Sequence, residues 1–286
     1  MNLSVVIVHY KARDLLLECL AALAPDLSRL ESETVVVDND SRDGAPEALA
    51  ARFPAVRVIA NRENAGYARA VNQGIRATKG EFVLVMNPDC SPHAGAVRTL
   101  LDYLRDHPRT AIAGPRLLRA DGAIEHSARG FPDPFTFLFN RYSLLTRLFP
   151  NNRFSRRYLL SDWDHLSERD VDWLSGAFLM VRRAAIAQVG GMDEAFFMFN
   201  EDVDWCRRMK LAGWANVYVP GAQVVHHVGA SRTRVAPRVI FERHRGMIHY
   251  FHKHHPTNPA LAALADALIM ARAGVMLVGN AFKPAP

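Results

Sequence analysis

The sequence predicts an α/β fold: an open, mostly parallel sheet flanked by helices, with a helical C-terminal extension. Three observations carry this. Short β-branched runs alternate with amphipathic stretches from the first residues onward, the order that parallel strands joined by crossover helices require. Several runs are apolar at every position, as in strands covered on both faces. Three of them stop at polar clusters, and open α/β sheets bind ligands beyond the carboxyl ends of their strands.

Taken in order, Leu3–Val8 is the first strand, ending at His9-Tyr10, and Asp14–Leu23 has helical spacing. Thr34–Val37 is the second strand and ends in Asp38-Asn39-Asp40-Ser41; a helix at Pro46–Arg52 and a strand at Val56–Ala60 follow. Asn64-Ala65-Gly66 opens a helix over Tyr67–Thr78, and Gly80 closes it. Phe82–Met86 is the fourth strand, ending at Asn87-Pro88-Asp89, before a helix at Ala94–Arg105 and a strand at Ala111–Ala113. Val171–Val181 reads as one strand kinked at Gly176, where a missing side chain admits a ligand or simply eases packing. Ala184–Val189 is a short helix stopped by Gly190-Gly191, and Trp214–Val219 is a strand after which Pro220-Gly221 turns the chain.

The totals exclude several classes. A chain of 286 residues, 49% hydrophobic and 22% charged, has room for one large domain or two modest ones. Cys19, Cys90 and Cys206 are odd in number and widely spaced, which fits a reducing cytoplasm rather than a disulfide framework or zinc motif. Met1–His9 lacks the basic start of a signal peptide. No glycine-rich dinucleotide fingerprint follows the first strand, and there is no P-loop. The net charge of +6 is localised: Arg232 to Pro286 holds eight Lys/Arg against two acids, and Arg141 to Arg157 holds five arginines and no acid. Aromatics interleave with arginines between Phe131 and Tyr158. Such stretches suit an anionic lipid surface, a lipid-linked diphosphate or single-stranded nucleic acid.

Glu201, Asp202 and Asp204 fall within four positions, behind the aromatic approach Asp193–Asn200. Desolvation there raises a carboxylate's pKa and makes it a better proton acceptor. The alternative is a helix start capped by Asn200, with acids favourably placed against the helix dipole. The helix ends at Gly213. Between Arg238 and His255 lie five histidines, His244, His249, His252, His254 and His255; no spacing matches a closed zinc site, so they are expected to be solvated or phosphate-facing. Pro259–Val278 is long enough to span a bilayer, but Asp266 and Arg272 cost about 3 kcal/mol each at its centre. A helix lying on a membrane, or packing on another subunit of a homo-oligomer, is expected instead.

The chain resembles family 2 glycosyltransferases of the GT-A fold, a Rossmann-like class, and among them bacterial rhamnosyltransferases. The resemblance rests on Val5–Tyr10, Val36–Ser41, Asn64-Ala65-Gly66-Tyr67 with Asn72, and Asn87-Pro88-Asp89. It continues through Trp173–Phe178, Gly191-Met192-Asp193-Glu194, Glu201–Asp204 and His226–Ser231, and stops near His255. It implies a dTDP- or UDP-sugar donor held by Tyr10, Asp38, Asp40, Asn64, Gly66, Arg69 and Asn87. Asp38 would accept the imide N–H of the base, and the helix start at Asn64 and Gly66 would face the diphosphate. A divalent cation, Mn2+ or Mg2+, would lie on Asp89 and His226; the family's first aspartate is replaced here by Asn87. Asp202 would be the base of an inverting displacement, Glu201 would bind acceptor hydroxyls, and Asp204 would hold local structure. Trp173, Ser175 and Gly176 would line the acceptor side, the indole offering a flat face to a sugar. The acceptor would be a saccharide or lipid-linked saccharide in cell-surface polysaccharide synthesis, on the inner face of the plasma membrane.

The implied division is a catalytic domain over 1–231, with a nucleotide-sugar half (1–115) and an acceptor half (116–231) carrying a basic-aromatic insertion (131–160), then an extension over 232–286. Two other readings stand at this point: a catalytically silent sugar-nucleotide or polysaccharide binder on the same fold, and a nucleic-acid binder. The latter leaves the acidic strand and helix ends unexplained, so no nucleic-acid partner is expected.

Overall fold

The computed structural model describes residues 2–133, 136, 152–227 and 236–283. Most of the basic-aromatic insertion and the Gly229-Ala230-Ser231 part of the last motif lie outside the described residues, as does the expected boundary at 231.

The first half alternates as its sequence pattern requires: β1 (Leu3–His9), α1 (Arg13–Leu27), β2 (Ser32–Asp38), α2 (Ala45–Arg52), β3 (Arg57–Ala60), α3 (Tyr67–Arg76) and β4 (Phe82–Met86). Next come β5 (Cys90–Pro92), α4 (Ala96–Asp106), β6 (Thr110–Leu118), β7 (Ile124–Glu125), β8 (Ala128–Arg129) and α5 (Arg153–Leu159). The second half holds β9 (Arg169–Asp170), β10 (Trp173–Leu174), β11 (Phe178–Arg182), α6 (Arg183–Val189), α7 (Glu201–Leu211) and β12 (Ala215–His226). Two C-terminal helices, α8 (Pro237–His254) and α9 (Pro259–Ala281), complete it.

The main sheet runs β3-β2-β1-β4-β11-β6-β12-β5. Strands β3, β2, β1 and β4 are parallel, as are β6 and β12, while β11 runs antiparallel between β4 and β6. Alternate residues of β1 feed two separate cores. Leu3, Val5 and Ile7 pack with Leu16 of α1 and Leu100 of α4, whereas Val6 and Val8 pack with Val71 of α3 and Trp205 of α7. An all-apolar strand is what a sheet with two covered faces demands.

Two expectations need correction. Val171–Val181 is not one kinked strand: β10 pairs with β8 in a small second sheet, β11 enters the main one, and the chain turns between them at Ser175-Gly176-Ala177. Conversely, Pro220-Gly221 does not end a strand. It lies in an irregularity of β12, where pairing to β6 shifts between Val219 and Gln223 before resuming to Val225. Carrying on past the proline brings His226 beside Cys90 of β5.

Candidate active site

Asp202 sits at the start of α7, facing the turn between β10 and β11. The Gly176 N–H donates to its Oδ2 (2.8 Å), and its Oδ1 accepts from the Val203 N–H (2.9 Å). Gly176 suits this close approach, because a Cβ there would lie 3.2 Å from the Asp202 Cβ. Asn200 is left-handed (φ 70°) and makes no side-chain cap, so the simple cap reading fails and Asp202 takes an N–H itself. Glu201 is buried, with Oε2 unpartnered among the described residues. Burial, with Asp202 beside it, pushes the Glu201 carboxyl well above the usual range. Burial also raises Asp202, although the Gly176 and Val203 N–H groups and Arg129 pull the other way. The two carboxyls titrate as a pair, both held above the usual range by burial. Asp204 is structural: fully buried, it contacts Arg208 (2.8 Å), Lys253 (2.8 Å) and His254 (2.7 Å).

A second corner forms where β4 ends. One oxygen of Asp89, Oδ1, is buried without a hydrogen bond and lies 3.4 Å from His226 Nε2. His226 Nδ1 is 2.8 Å from Glu125 Oε2 on β7. Burial alone would lower the His226 pKa, but Asp89 and Glu125 hold it up to about 9. Donor atoms of Asp89, Cys90 and His226 lie within 4.8 Å of one another. The thiol of Cys90 donates to the Ala177 carbonyl, and burial with Asp89 nearby keeps it protonated, so it is a poor ligand. An orphaned carboxylate oxygen facing an imidazole whose other nitrogen meets a carboxylate suits a divalent cation. Glu125 had no sequence signal, being in a two-residue strand that only the β6 pairing positions.

The remaining residues divide. Tyr10, Asp38 and Asp40 cluster at the carboxyl ends of β1 and β2, where His9 pairs with Asp38. Tyr10 is exposed, Asp38 Oδ1 accepts from the Ser41 N–H (3.1 Å), and Arg42 folds onto Asp40 (2.8 Å). The expected diphosphate contact at the start of α3 is not supported. The Tyr67 N–H donates to the Phe197 carbonyl (2.6 Å), and a Cβ at Gly66, whose φ is 87°, would come within 2.7 Å of that oxygen. Asn64 is occupied with Asn39 and the Gly66 N–H. Arg69 pairs with Glu194 (3.1 Å) on the outer side of α3. On the acceptor side, Trp173 lines the cleft, but its ring is buried under the Arg129 guanidinium (5.4 Å), so it backs Arg129 instead of offering an open face.

Of the five histidines from His244 to His255, His252 is exposed as expected, and the other four are taken up by protein contacts. His249 and Lys253 meet Asp193 (3.3 and 2.6 Å), His254 meets Asp204, His255 meets Arg207 (2.8 Å), and His244 is buried against the Ile240 carbonyl. Asp193 and Asp204 draw in His249, Lys253 and His254. Gly246 packs on the Phe199 carbonyl and the Asn200 side chain, just before Glu201.

These parts enclose a cleft of about 530 Å3 lined by Asn87, His226, Trp173, Ser175, Gly176, Glu201 and Asp202, with Arg243 and Arg272 from the C-terminal helices. The sheet with this cleft at its carboxyl edge is that of a glycosyltransferase of the GT-A fold, and Glu201 and Asp202 line the same cleft as His226. The chain belongs to the family described as glycosyltransferase like family 2, whose model matches residues 2–246. It is 38% identical over 244 residues to the N-acetylglucosaminyl-diphospho-decaprenol L-rhamnosyltransferase of Mycobacterium tuberculosis, covering 81% of this chain and 78% of that protein. It is 26% identical over 241 residues to the dTDP-rhamnosyl transferase RfbF of Shigella flexneri, covering 82% and 72% respectively. In fold it is similar to a mannosyltransferase of Pyrobaculum calidifontis solved with GDP-Man and Mn2+, with a TM-score of 0.60, 19% identity, and 98% and 79% coverage.

Proposed function

We propose that this chain is an inverting rhamnosyltransferase. It moves L-rhamnose from dTDP-L-rhamnose to a lipid-diphosphate-linked saccharide during synthesis of a cell-surface polysaccharide. The observation that carries the reading is the convergence of Asp202 and the Asp89–His226 corner on one cleft, since inversion needs base and leaving group on opposite sides of the sugar. The names of the two rhamnosyltransferase relatives support the sugar and the acceptor class.

Asp202 accepts the proton of the acceptor hydroxyl as the new bond forms to the anomeric carbon. Its raised pKa suits that task, and the Gly176 N–H fixes the carboxylate's direction. Glu201, kept neutral, donates a hydrogen bond on the acceptor side, and Ser175 and Arg129 line that wall. Asp38 takes the base's imide N–H, with Tyr10 and Asp40 at the same strand ends, and Asn87 lines the cleft two strands away. Asp89 and His226 would hold a divalent cation, Mn2+ or Mg2+; when bound, it supplies Lewis-acid stabilisation of the charge on the leaving diphosphate. The catalytic unit includes α8, and the protein acts as a peripheral protein at the membrane surface.

The test is a panel of nucleotide sugars scored for nucleoside diphosphate release with and without Mn2+. We expect dTDP-L-rhamnose to be preferred and Asp202→Asn to lose about 100-fold or more in kcat. Full activity in Asp202→Asn would remove the assigned base, whereas no nucleoside diphosphate release from any donor by the parent would restore the silent-binder reading.

A further inference from the structure

The third wall of the cleft is basic and is built by the C-terminal helices. Arg243 of α8 and Arg272 of α9 both line the cavity that holds Glu201 and Asp202. The Arg243 guanidinium lies over the Phe199 ring at 4.4 Å, two positions before Glu201. Burial lowers the Arg272 pKa, and the like charge of Arg243 lowers it further. Arg272 is half-buried and Arg243 exposed, so two like charges line one side of the cleft, where a diphosphate would meet two guanidinium forks.

Helix α9 adds a second observation. Leu261, Leu264, Leu268, Val275, Val278 and Phe282 are all exposed, at spacings of three, four and seven that put them on one stripe. Ile269, Ala273 and Asn280 are buried on the side that packs on α8, and Asp266 is tied to His252 (2.9 Å). Arg272 follows Leu268 by four residues and Ile269 by three, so it stands at the seam between the stripe and the packed side. By length and composition α9 could cross a membrane, but it lies along α8 with a cation at that seam.

We propose that Arg243 and Arg272 bind the diphosphate of a lipid-linked acceptor, while the apolar stripe of α9 lies in the bilayer that holds the lipid tail. The inference rests on the glycosyl-transfer reading of the same cleft. A lipid-diphosphate saccharide presents hydrocarbon, diphosphate and sugar in fixed order. The protein presents the apolar stripe, two guanidiniums and the Asp202 base in the same order. Guanidinium forks match phosphate oxygens, and the donor's diphosphate is accommodated across the cleft at Asp89 and His226.

The test has a binding arm and a kinetic arm, both on the full chain. With EDTA present, farnesyl diphosphate is titrated into the parent, Arg272→Gln and Arg243→Gln, with farnesol as the uncharged control. We expect farnesyl diphosphate to bind, farnesol to bind more weakly, and each variant to lose about tenfold in affinity for the diphosphate alone. Equal binding by parent and variants overturns the proposal whether or not the enzyme turns over. In the kinetic arm, the kcat/KM ratio for a polyprenyl-diphosphate N-acetylglucosamine over a neutral alkyl N-acetylglucosaminide falls about tenfold in Arg272→Gln and partly recovers in Arg272→Lys. A rise in donor KM with the acceptor ratio unchanged assigns the arginines to the donor and overturns the proposal. Failure of the parent to transfer to either acceptor counts against the proposed function, leaving the binding arm to decide this inference.

Discussion

The Gly176 N–H donates to the Asp202 carboxylate at 2.8 Å, and a methyl group at Gly176 would lie 3.2 Å from the Asp202 Cβ, close enough to press on that side chain. Gly176→Ala would therefore displace Asp202 without touching the sheet core. Misplacing a reacting group by about 1 Å costs on the order of 100-fold in rate. We expect kcat to fall by about that factor with the donor KM little changed, measured by steady-state kinetics beside thermal melts. A variant that keeps parental kcat would show that Asp202 is not held by this turn for catalysis.

Burial beside Asp202 raises the Glu201 carboxyl well above its usual range. Its folded pKa lies above the unfolded value of about 4.3, so folding is favoured below that value and loses ground as pH rises through the folded value. Glu201→Gln removes the ionisation and keeps a neutral donor. Relative to the variant, the parent is expected to lose about 1.4 kcal/mol of stability per pH unit between the unfolded and folded pKa. Urea titrations from pH 5 to pH 9 measure this; parallel curves would mean that Glu201 is charged in the folded protein.

The sequence made the sheet legible wherever a strand was buried on both faces, as in β1, β2 and β4, because continuous β-branched runs have few other uses. It failed at Gly176 and at Pro220-Gly221 for opposite reasons. Two strands in different sheets were contiguous in sequence, while one strand carried a proline through an irregularity of its pairing. The two ends of the cleft were readable because carboxylates there interrupt apolar patterns. Their partners were not: Glu125, Arg129, Arg243 and Arg272 are ordinary surface-type residues until topology brings them in. Asn72 shows the same limit, for it joins two motifs 120 residues apart by exchanging hydrogen bonds with the Met192 backbone (2.8 and 2.9 Å).

The histidine-rich helix acts as a clamp, and the clamp is acid-labile. Burial would raise the Asp204 pKa, but Lys253, Arg208 and His254 hold it below the usual range. Asp193 is likewise held low, against burial, by Lys253, the Ala195 N–H and His249. Depressed carboxylates contribute stability above the unfolded value of about 3.9, and that stability is lost as pH falls below it. Asp204→Asn takes the buried anion from half-buried Arg208 and from Lys253, which keeps Asp193, and is expected to cost on the order of 3 kcal/mol at pH 7. Denaturant titration should show that cost shrinking below about pH 4; a pH-independent difference would assign the loss to packing.

The donor set at the cation corner can be separated by substitution. Asp89 offers an unpartnered oxygen and His226 a nitrogen beside it, whereas the Cys90 thiol is spoken for by the Ala177 carbonyl. His226→Ala should therefore abolish tight Mn2+ binding, and Cys90→Ser should leave it within about twofold, since a protonated thiol is not a ligand. Glu125→Gln keeps the ring's neighbour but removes its charge, and loss of such a partner weakens metal affinity by about 10–100-fold. Mn2+ titration followed by electron paramagnetic resonance, with nucleoside diphosphate present, measures all three. If Cys90→Ser weakens binding as much as His226→Ala, the ion is held by a thiolate and the oxygen-and-imidazole site is wrong.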